Sequence, residues 1–294
     1  MVSETQTIEL SAGPLRLALS PATGGSIARF DYDDGERRVA ILRGVEGPLG
    51  HVLDAGSFPL VPYVNRIRSG EFSFGGQTVS LQPNMAGDPS PLHGQGWLNP
   101  WTLVSAGPDE AMLEYQHEAG EWPWAYVARQ HFRLGPDALE IDLACRNLSA
   151  TPMPCGLGQH PYFHCSATTR IATGVDHVWT IDDKVLPVDR VPATGQYDLT
   201  DRPVCGLGLD HGFGGWSGKA IISDPAWPFK LVMSSPGTPF FQLYSPADGE
   251  IFVAEPVTHA NAALNLPEEQ WAAHGLRILS PGEEMSLTMR LELV

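Results

Sequence analysis

Hydrophobic and polar residues alternate along much of the chain with a period of two, the pattern of strands buried on one face. Leu139, Ile141 and Leu143 alternate with Glu140 and Asp142, and Met285, Leu287, Met289, Leu291 and Leu293 alternate with Ser286, Thr288, Arg290 and Glu292. The second run predicts a long strand closing the chain. Shorter runs predict strands over 7–10, 15–20, 27–32, 38–42, 112–117, 126–134, 219–223 and 229–234. Turn residues fall between them. Asp34-Gly35, Gly75-Gly76 and Asp248-Gly249 each separate extended runs, as expected of tight hairpins whose central residues need a positive φ. Gly135-Pro136-Asp137 makes a further turn. Only 267–274 reads as a helix, with Asn265 as its cap, Pro267 in its first turn, and Glu268 and Glu269 near the positive end of the dipole. So many strands with so little helix predict an all-β fold, a large antiparallel β-sandwich.

Composition supports that reading. With 31 Gly and 26 Pro in 294 residues, long helices are excluded, while a 43% hydrophobic share with 8 Trp and 11 Phe suffices for a large core. No apolar run approaches the roughly 18 residues of a membrane helix. Length alone suggests two domains at about 150 residues each. The chain nevertheless shows no repeat, low-complexity tract or polar linker, so a single domain over 1–294 is expected. The stretch 182–218 then reads as long functional loops on the sandwich.

Charge narrows the partners. The net charge is −16, and only Lys184, Lys219 and Lys230 are lysines. No basic face is available for nucleic acid or an anionic membrane surface, which leaves a neutral or weakly charged small molecule as the expected ligand. Cys145, Cys155, Cys165 and Cys205 contain no C-x-x-C pair, and the residues from Met1 to Ile8 lack the pattern of a secretory leader. A cytoplasmic protein with four reduced thiols is expected; an exported one with two disulfides is the alternative.

Four segments carry polar residues that strand-building does not require: Pro62-Tyr63-Val64-Asn65-Arg66-Ile67-Arg68-Ser69-Gly70, Pro91-Leu92-His93-Gly94-Gln95-Gly96-Trp97, Gly156-Leu157-Gly158-Gln159-His160-Pro161-Tyr162-Phe163-His164, and Phe252-Val253-Ala254-Glu255-Pro256. Taken singly, Arg66 could be half of an ion pair and His93 a turn histidine. His160 and His164 have the i, i+4 spacing of a zinc helix, but Pro161 interrupts any helix there and no acidic third ligand is near, so no metal is expected. There is no G-x-S-x-G motif to support a serine hydrolase.

Together, and in this order, the four segments resemble the aldose 1-epimerase (galactose mutarotase) family. Asn65-Arg66-Ile67 followed by the Phe72–Phe74 hairpin is similar to its arginine signature, and Leu92-His93-Gly94, with Asn84 before it and Trp97 after it, to its first histidine motif. Gly158-Gln159-His160-Pro161-Tyr162-Phe163 resembles the second histidine motif, and Glu255-Pro256 through Asn261 the catalytic glutamate segment. Two departures are visible: the interval from His160 to Asp210 is short beside larger members, and Val257-Thr258-His259 replaces a version in which a Gln follows closely.

The resemblance implies a mutarotase-like supersandwich and a cofactor-free isomerase that interconverts the α and β anomers of a free aldose such as galactose or glucose. Ring opening removes the proton of the anomeric hydroxyl and delivers one to the ring oxygen, which needs a base and an acid worth roughly 10²–10⁴ each in rate. The resemblance assigns Glu255 as base and His160 as acid, with Arg66, His93 and Asp210 binding the sugar. Trp97, Tyr162 or Phe241 could stack on the pyranose. The alternatives are a mutarotase of hexose 6-phosphates and a non-catalytic sugar-binding module on the same fold.

Overall fold

The computed structural model describes residues 7–294; the leader expectation rests mostly on residues before that range. Nearly all predicted strands form. Leu15–Ser20, Arg38–Leu42, Tyr126–Leu134 and Lys219–Ser223 have the predicted bounds, while Ala138–Asn147 and Glu284–Leu293 run a residue or more longer. The strand predicted over 229–234 begins only at Leu231.

The strands assemble into antiparallel sheets. The largest has nine strands, in the order Arg202–Pro203, Arg170–Thr173, Lys219–Ser223, Leu231–Ser234, Glu284–Leu293, Ala138–Asn147, Tyr126–Leu134, Glu110–His117 and Thr102–Ala106. An eight-stranded sheet runs Pro187–Pro192, His177–Ile181, Leu209–Gly214, Phe240–Ser245, Ile251–Val257, Gly158–Gln159 and Pro59–Leu60, with Tyr162–His164 also paired to Ile251–Val257. A four-stranded meander holds Ile8–Ala12, Leu15–Ser20, Ser26–Asp33 and Arg38–Leu42. Alternation along each strand sends one face inward. Leu139, Ile141 and Leu143 of the large sheet, Phe213, Phe241, Leu243 and Phe252 of the second, and Leu15 and Leu17 of the meander join one buried apolar cluster. The fold is thus the expected antiparallel β-sandwich.

Ile251–Val257 is buried on both faces, and this positions the site. Phe252 and Ala254 face the main core, while Val253 and Val257 join a second apolar cluster with Phe58, Leu60, Val64, Leu92, Trp97 and Tyr162. Glu255 shares the parity of Val253 and Val257 and so points toward that second cluster.

Several expectations are corrected. The 182–218 stretch is not merely loop: it contains Pro187–Pro192, Arg202–Pro203 and Leu209–Gly214, and Asp210 lies on the last of these. The helix forms as Glu268–Trp271 followed by a 3₁₀ turn at Ala272–His274, but Asn265 does not cap it. Its side chain instead accepts from Arg68 N–H at 2.7 Å and donates to Glu71 O at 2.7 Å. Gly35, Gly75 and Gly76 have the positive φ their turns demand, whereas Gly249 does not.

The thiols also differ from expectation, being neither four free groups nor two bridges. Cys165 and Cys205 form a disulfide with a Cα–Cα distance of 5.6 Å, and Cys145 and Cys155 are buried free thiols. The bridge forms because both cysteines abut one turn: Cys165 N–H donates to Glu250 O at 2.8 Å, and Cys205 Sγ lies 3.3 Å from Gly249 O. Among the described residues no helix is long and apolar enough to cross a membrane.

Candidate active site

Strand register builds the floor of the site. Glu255 is paired across the ladder with Gln242, and Asp210 with Tyr244, so Gln242 stands between the two carboxylates. Gln242 Nε2 donates to Asp210 Oδ1 at 2.7 Å. The walls come from irregular segments. His160 lies between two short strands, its N–H donating to Phe58 O at 3.1 Å. Its ring stacks on Phe58 at 4.5 Å and packs against a tilted Tyr162 at 4.7 Å. The Arg43 guanidinium lies over the Tyr162 ring, 3.8 Å from its centre.

His93 occupies a left-handed turn with φ of 60°, followed by Gly94 at 75°. A Cβ on Gly94 would lie 2.1 Å from Val61 O, so only glycine lets the two chains approach this closely. The Asn84 side chain clamps the turn, accepting from Leu92 N–H and donating to Leu92 O, both at 2.7 Å. Asn65 N–H donates to His93 Nδ1 at 3.2 Å, which makes Nδ1 an acceptor and places the proton of the neutral ring on Nε2. Arg66 is held through Nε by Asp88 Oδ2 at 2.8 Å.

These side chains enclose a pocket of about 270 Å³. All five residues assigned by resemblance, Arg66, His93, His160, Asp210 and Glu255, line it, although they come from five chain segments and nearly 190 residues separate the first from the last. Trp97 and Tyr162 line it too, but Phe241 does not: it is fully buried in the main core, stacked on Trp216 at 5.1 Å. Leu53, Phe58, Asn65, Met85, Leu92 and Tyr244 complete the lining. Sequence reasoning missed Gln242 and Asp88. For Gln242 a signal existed, because an amide at its position interrupts the otherwise apolar run from Phe240 to Leu243. Asp88, in a loop, carried none.

The electrostatics follow from burial. Glu255 is 2% exposed, and loss of water, aided by nearby Asp210, pushes its carboxyl well above the ordinary range despite Arg66. Burial likewise lowers His160 to about 3 and His93 well below its usual value. Asp210 is raised by the same cause. His160 Nε2 and Glu255 Oε1 lie 3.5 Å apart. His160 Nδ1 and Glu255 Oε2 are both buried without a hydrogen-bond partner. Such atoms are expensive unless a ligand completes them. A buried carboxyl and imidazole this close, with one proton between them, can act as a paired donor and acceptor.

The family model described as Aldose 1-epimerase matches residues 6–292. An uncharacterized protein of Escherichia coli K12, YphB, is 32% identical over 295 residues, covering 97% of both chains. An aldose 1-epimerase of the same organism is 25% identical over 209 residues, 64% of this chain and 59% of that one. Among solved structures, an Escherichia coli K12 protein provisionally described as an aldose 1-epimerase superposes with a TM-score of 0.89 at 32% identity, over 99% of both chains. A galactose mutarotase-like protein from Clostridium acetobutylicum shares the fold, with a TM-score of 0.85 at 22% identity over 100% of this chain and 96% of that one. By sequence and by fold, this chain belongs to the aldose 1-epimerase family.

Proposed function

We propose that the protein interconverts the anomers of a free, uncharged aldose, with Glu255 as base and His160 as acid. The observation that carries this reading is the buried His160–Glu255 pair, 3.5 Å apart at the base of the pocket. The anomeric hydroxyl and the ring oxygen of a pyranose are bonded to the same carbon, so a neighbouring donor and acceptor can address both at once.

In the forward step the Glu255 carboxylate takes the proton of the anomeric hydroxyl. The His160 imidazolium gives its proton to the ring oxygen, the bond between C1 and that oxygen breaks, and the open-chain aldehyde forms. Rotation about C1–C2 presents the other face. Reclosure then returns the proton from Glu255 to the carbonyl oxygen, while His160 recovers one from the C5 hydroxyl. Ring opening converts an ion pair into a neutral imidazole and a neutral carboxyl. Burial favours the uncharged pair, as the lowered His160 and raised Glu255 indicate, so the reactive ion pair arises by proton transfer from Glu255 to His160 once the sugar is bound.

His93, with Nε2–H facing inward, and Arg66 supply donors for sugar oxygens, and Asp210 an acceptor held by Gln242. The apolar faces of Phe58, Leu92 and Trp97 suit the C–H face of a pyranose. Arg66 is the only arginine or lysine among the lining residues and is already paired with Asp88, which favours an uncharged sugar over a hexose 6-phosphate. The test is anomer exchange, by polarimetry or NMR, across free hexoses, pentoses and hexose 6-phosphates. Exchange on free aldoses that disappears in Glu255→Gln and His160→Gln is expected. Exchange that survives both substitutions overturns the assignment of base and acid, and saturable binding without exchange points to a binding module.

A further inference from the structure

Val64, Asn65 and Arg66 lie in the irregular stretch between Pro59–Leu60 and the turn at Arg68–Gly70. Their three consecutive backbone N–H groups go to side chains rather than to a neighbouring strand. Val64 N–H donates to His259 Nε2 at 3.0 Å, Asn65 N–H to His93 Nδ1 at 3.2 Å, and Arg66 N–H to Asn261 Oδ1 at 3.1 Å. His93 lines the pocket; His259 and Asn261 do not. Both of the latter follow Glu255 on the chain, just beyond the end of its strand.

Each acceptor is itself fixed. His259 is 1% exposed and its Nδ1–H donates to Ala260 O at 2.8 Å, which leaves Nε2 as the acceptor. Its ring fits only because residue 156 is glycine: a Cβ there would lie 2.0 Å from His259 Cδ2. Asn261 Nδ2 donates to Val185 O at 2.8 Å, tying the acceptor to the 182–186 turn, whose Asp182 pairs with Arg68 at 3.6 Å. Held at these points, Asn65 adopts a φ of 54°, a left-handed conformation that non-glycine residues seldom keep without support. That conformation sets the direction in which the next side chain leaves the backbone. The next side chain is Arg66, whose Nε meets Asp88 at the pocket wall.

We propose that His259 and Asn261 are positioning residues, which aim Arg66 at the sugar by gripping the backbone amides on its N-terminal side, so that the segment carrying the base also orients the arginine. The proposal rests on the mutarotase reading above. A misplacement of about 1 Å in a positioned group can cost roughly a hundredfold in rate.

The test measures aldose anomer exchange in the full-length protein with His259→Gln, His259→Leu, Arg66→Ala and the double variant His259→Leu/Arg66→Ala. The Gln side chain offers an acceptor close to the position of Nε2, so His259→Gln is expected to stay near the wild type. His259→Leu is expected to lose about tenfold to a hundredfold in kcat/KM, mostly in kcat, because Arg66 serves charge that develops on ring opening. In the Arg66→Ala background the same substitution should cost almost nothing more. A folded His259→Leu with wild-type kinetics, or one whose loss is equally large without Arg66, overturns the proposal. Should His259→Leu not fold, Asn261→Ala carries the same cycle, since it removes the acceptor of the Arg66 amide from a half-buried position; additivity or no loss again overturns it. Wild-type protein that exchanges no aldose sinks the reading beneath the proposal, whereas wild-type exchange that persists in these variants sinks the proposal alone.

Discussion

The nine-stranded sheet and the pocket wall solve the same backbone problem in opposite ways. In the sheet, Tyr126–Leu134, Ala138–Asn147 and Glu284–Leu293 pair residue against residue along long uninterrupted ladders. At the pocket, ladders shrink to two or three residues, as at Pro59–Leu60, Gly158–Gln159 and Tyr162–His164, and side chains take over the amides. A regular ladder fixes every side chain to an alternating direction. Broken ladders let several chain segments converge on one point, but each break must be satisfied individually. Rigidity comes from repetition in one region and from single, specific contacts in the other.

The largest expected effect lies in the broken region. Glu255→Gln should lower kcat by roughly 10²–10⁴, measured by polarimetry. It should also raise stability at alkaline pH. The folded protein holds a proton on Glu255 that the unfolded chain releases above its ordinary value of 4.5, so stability falls as pH rises beyond that point. Thermal melts at pH 5 and pH 8 should show a smaller drop for the variant; an equal drop would mean that Glu255 is not the buried acid. His259 runs in the opposite direction. Its folded value is lowered from 6.5 to about 4, so its contribution is complete above 6.5 and is lost as pH falls toward 4. His259→Gln should therefore flatten the acid side of the stability profile.

In the regular region, Leu143→Ala removes a fully buried side chain and should cost about 2–5 kcal/mol by denaturant titration, with kcat of the folded fraction unchanged. Gly94→Ala strikes a contact between pocket segments. A Cβ 2.1 Å from Val61 O cannot be accommodated without moving His93, so a loss of about 1–3 kcal/mol should come with a fall in kcat/KM. The smallest effect belongs to Arg170→Ala, one strand in from the sheet edge. That side chain is 42% exposed and pairs with an Asp201 that is 64% exposed; a change of 0–1 kcal/mol with unaltered kinetics is expected by the same titration. Activity loss from Leu143→Ala or Arg170→Ala would break the contrast between the two regions.

The same contrast explains what could be read from the sequence. The alternation of Leu139, Ile141 and Leu143, or of Met285 through Leu293, states both strand and buried face, because a ladder imposes its period on the sequence. Arg66, His93, His160 and Glu255 stood out as polar residues among breakers and by family resemblance, and they do meet in one pocket. Their partners did not stand out. Asp88 holds Arg66 from a loop without pattern, and Asn265 looked like a helix cap yet serves the backbone of Arg68 and Glu71. Arg43, which packs on Tyr162, falls one residue beyond an ordinary strand prediction. Contacts between segments far apart in the chain leave no local period. The Cys165–Cys205 bridge was hidden for the same reason, since only the shared turn at Gly249-Glu250 brings its ends together.

Glu255, His259 and Asn261 sit on one continuous stretch, with the ladder ending at Val257. The number of residues between them is therefore a gauge. It sets where two acceptors meet the amides of Val64 and Arg66 relative to a carboxylate fixed by pairing with Gln242. A substitution at Thr258 loses a contact to the Leu157 amide and leaves that gauge intact, but inserting or deleting one residue before His259 displaces both acceptors at once.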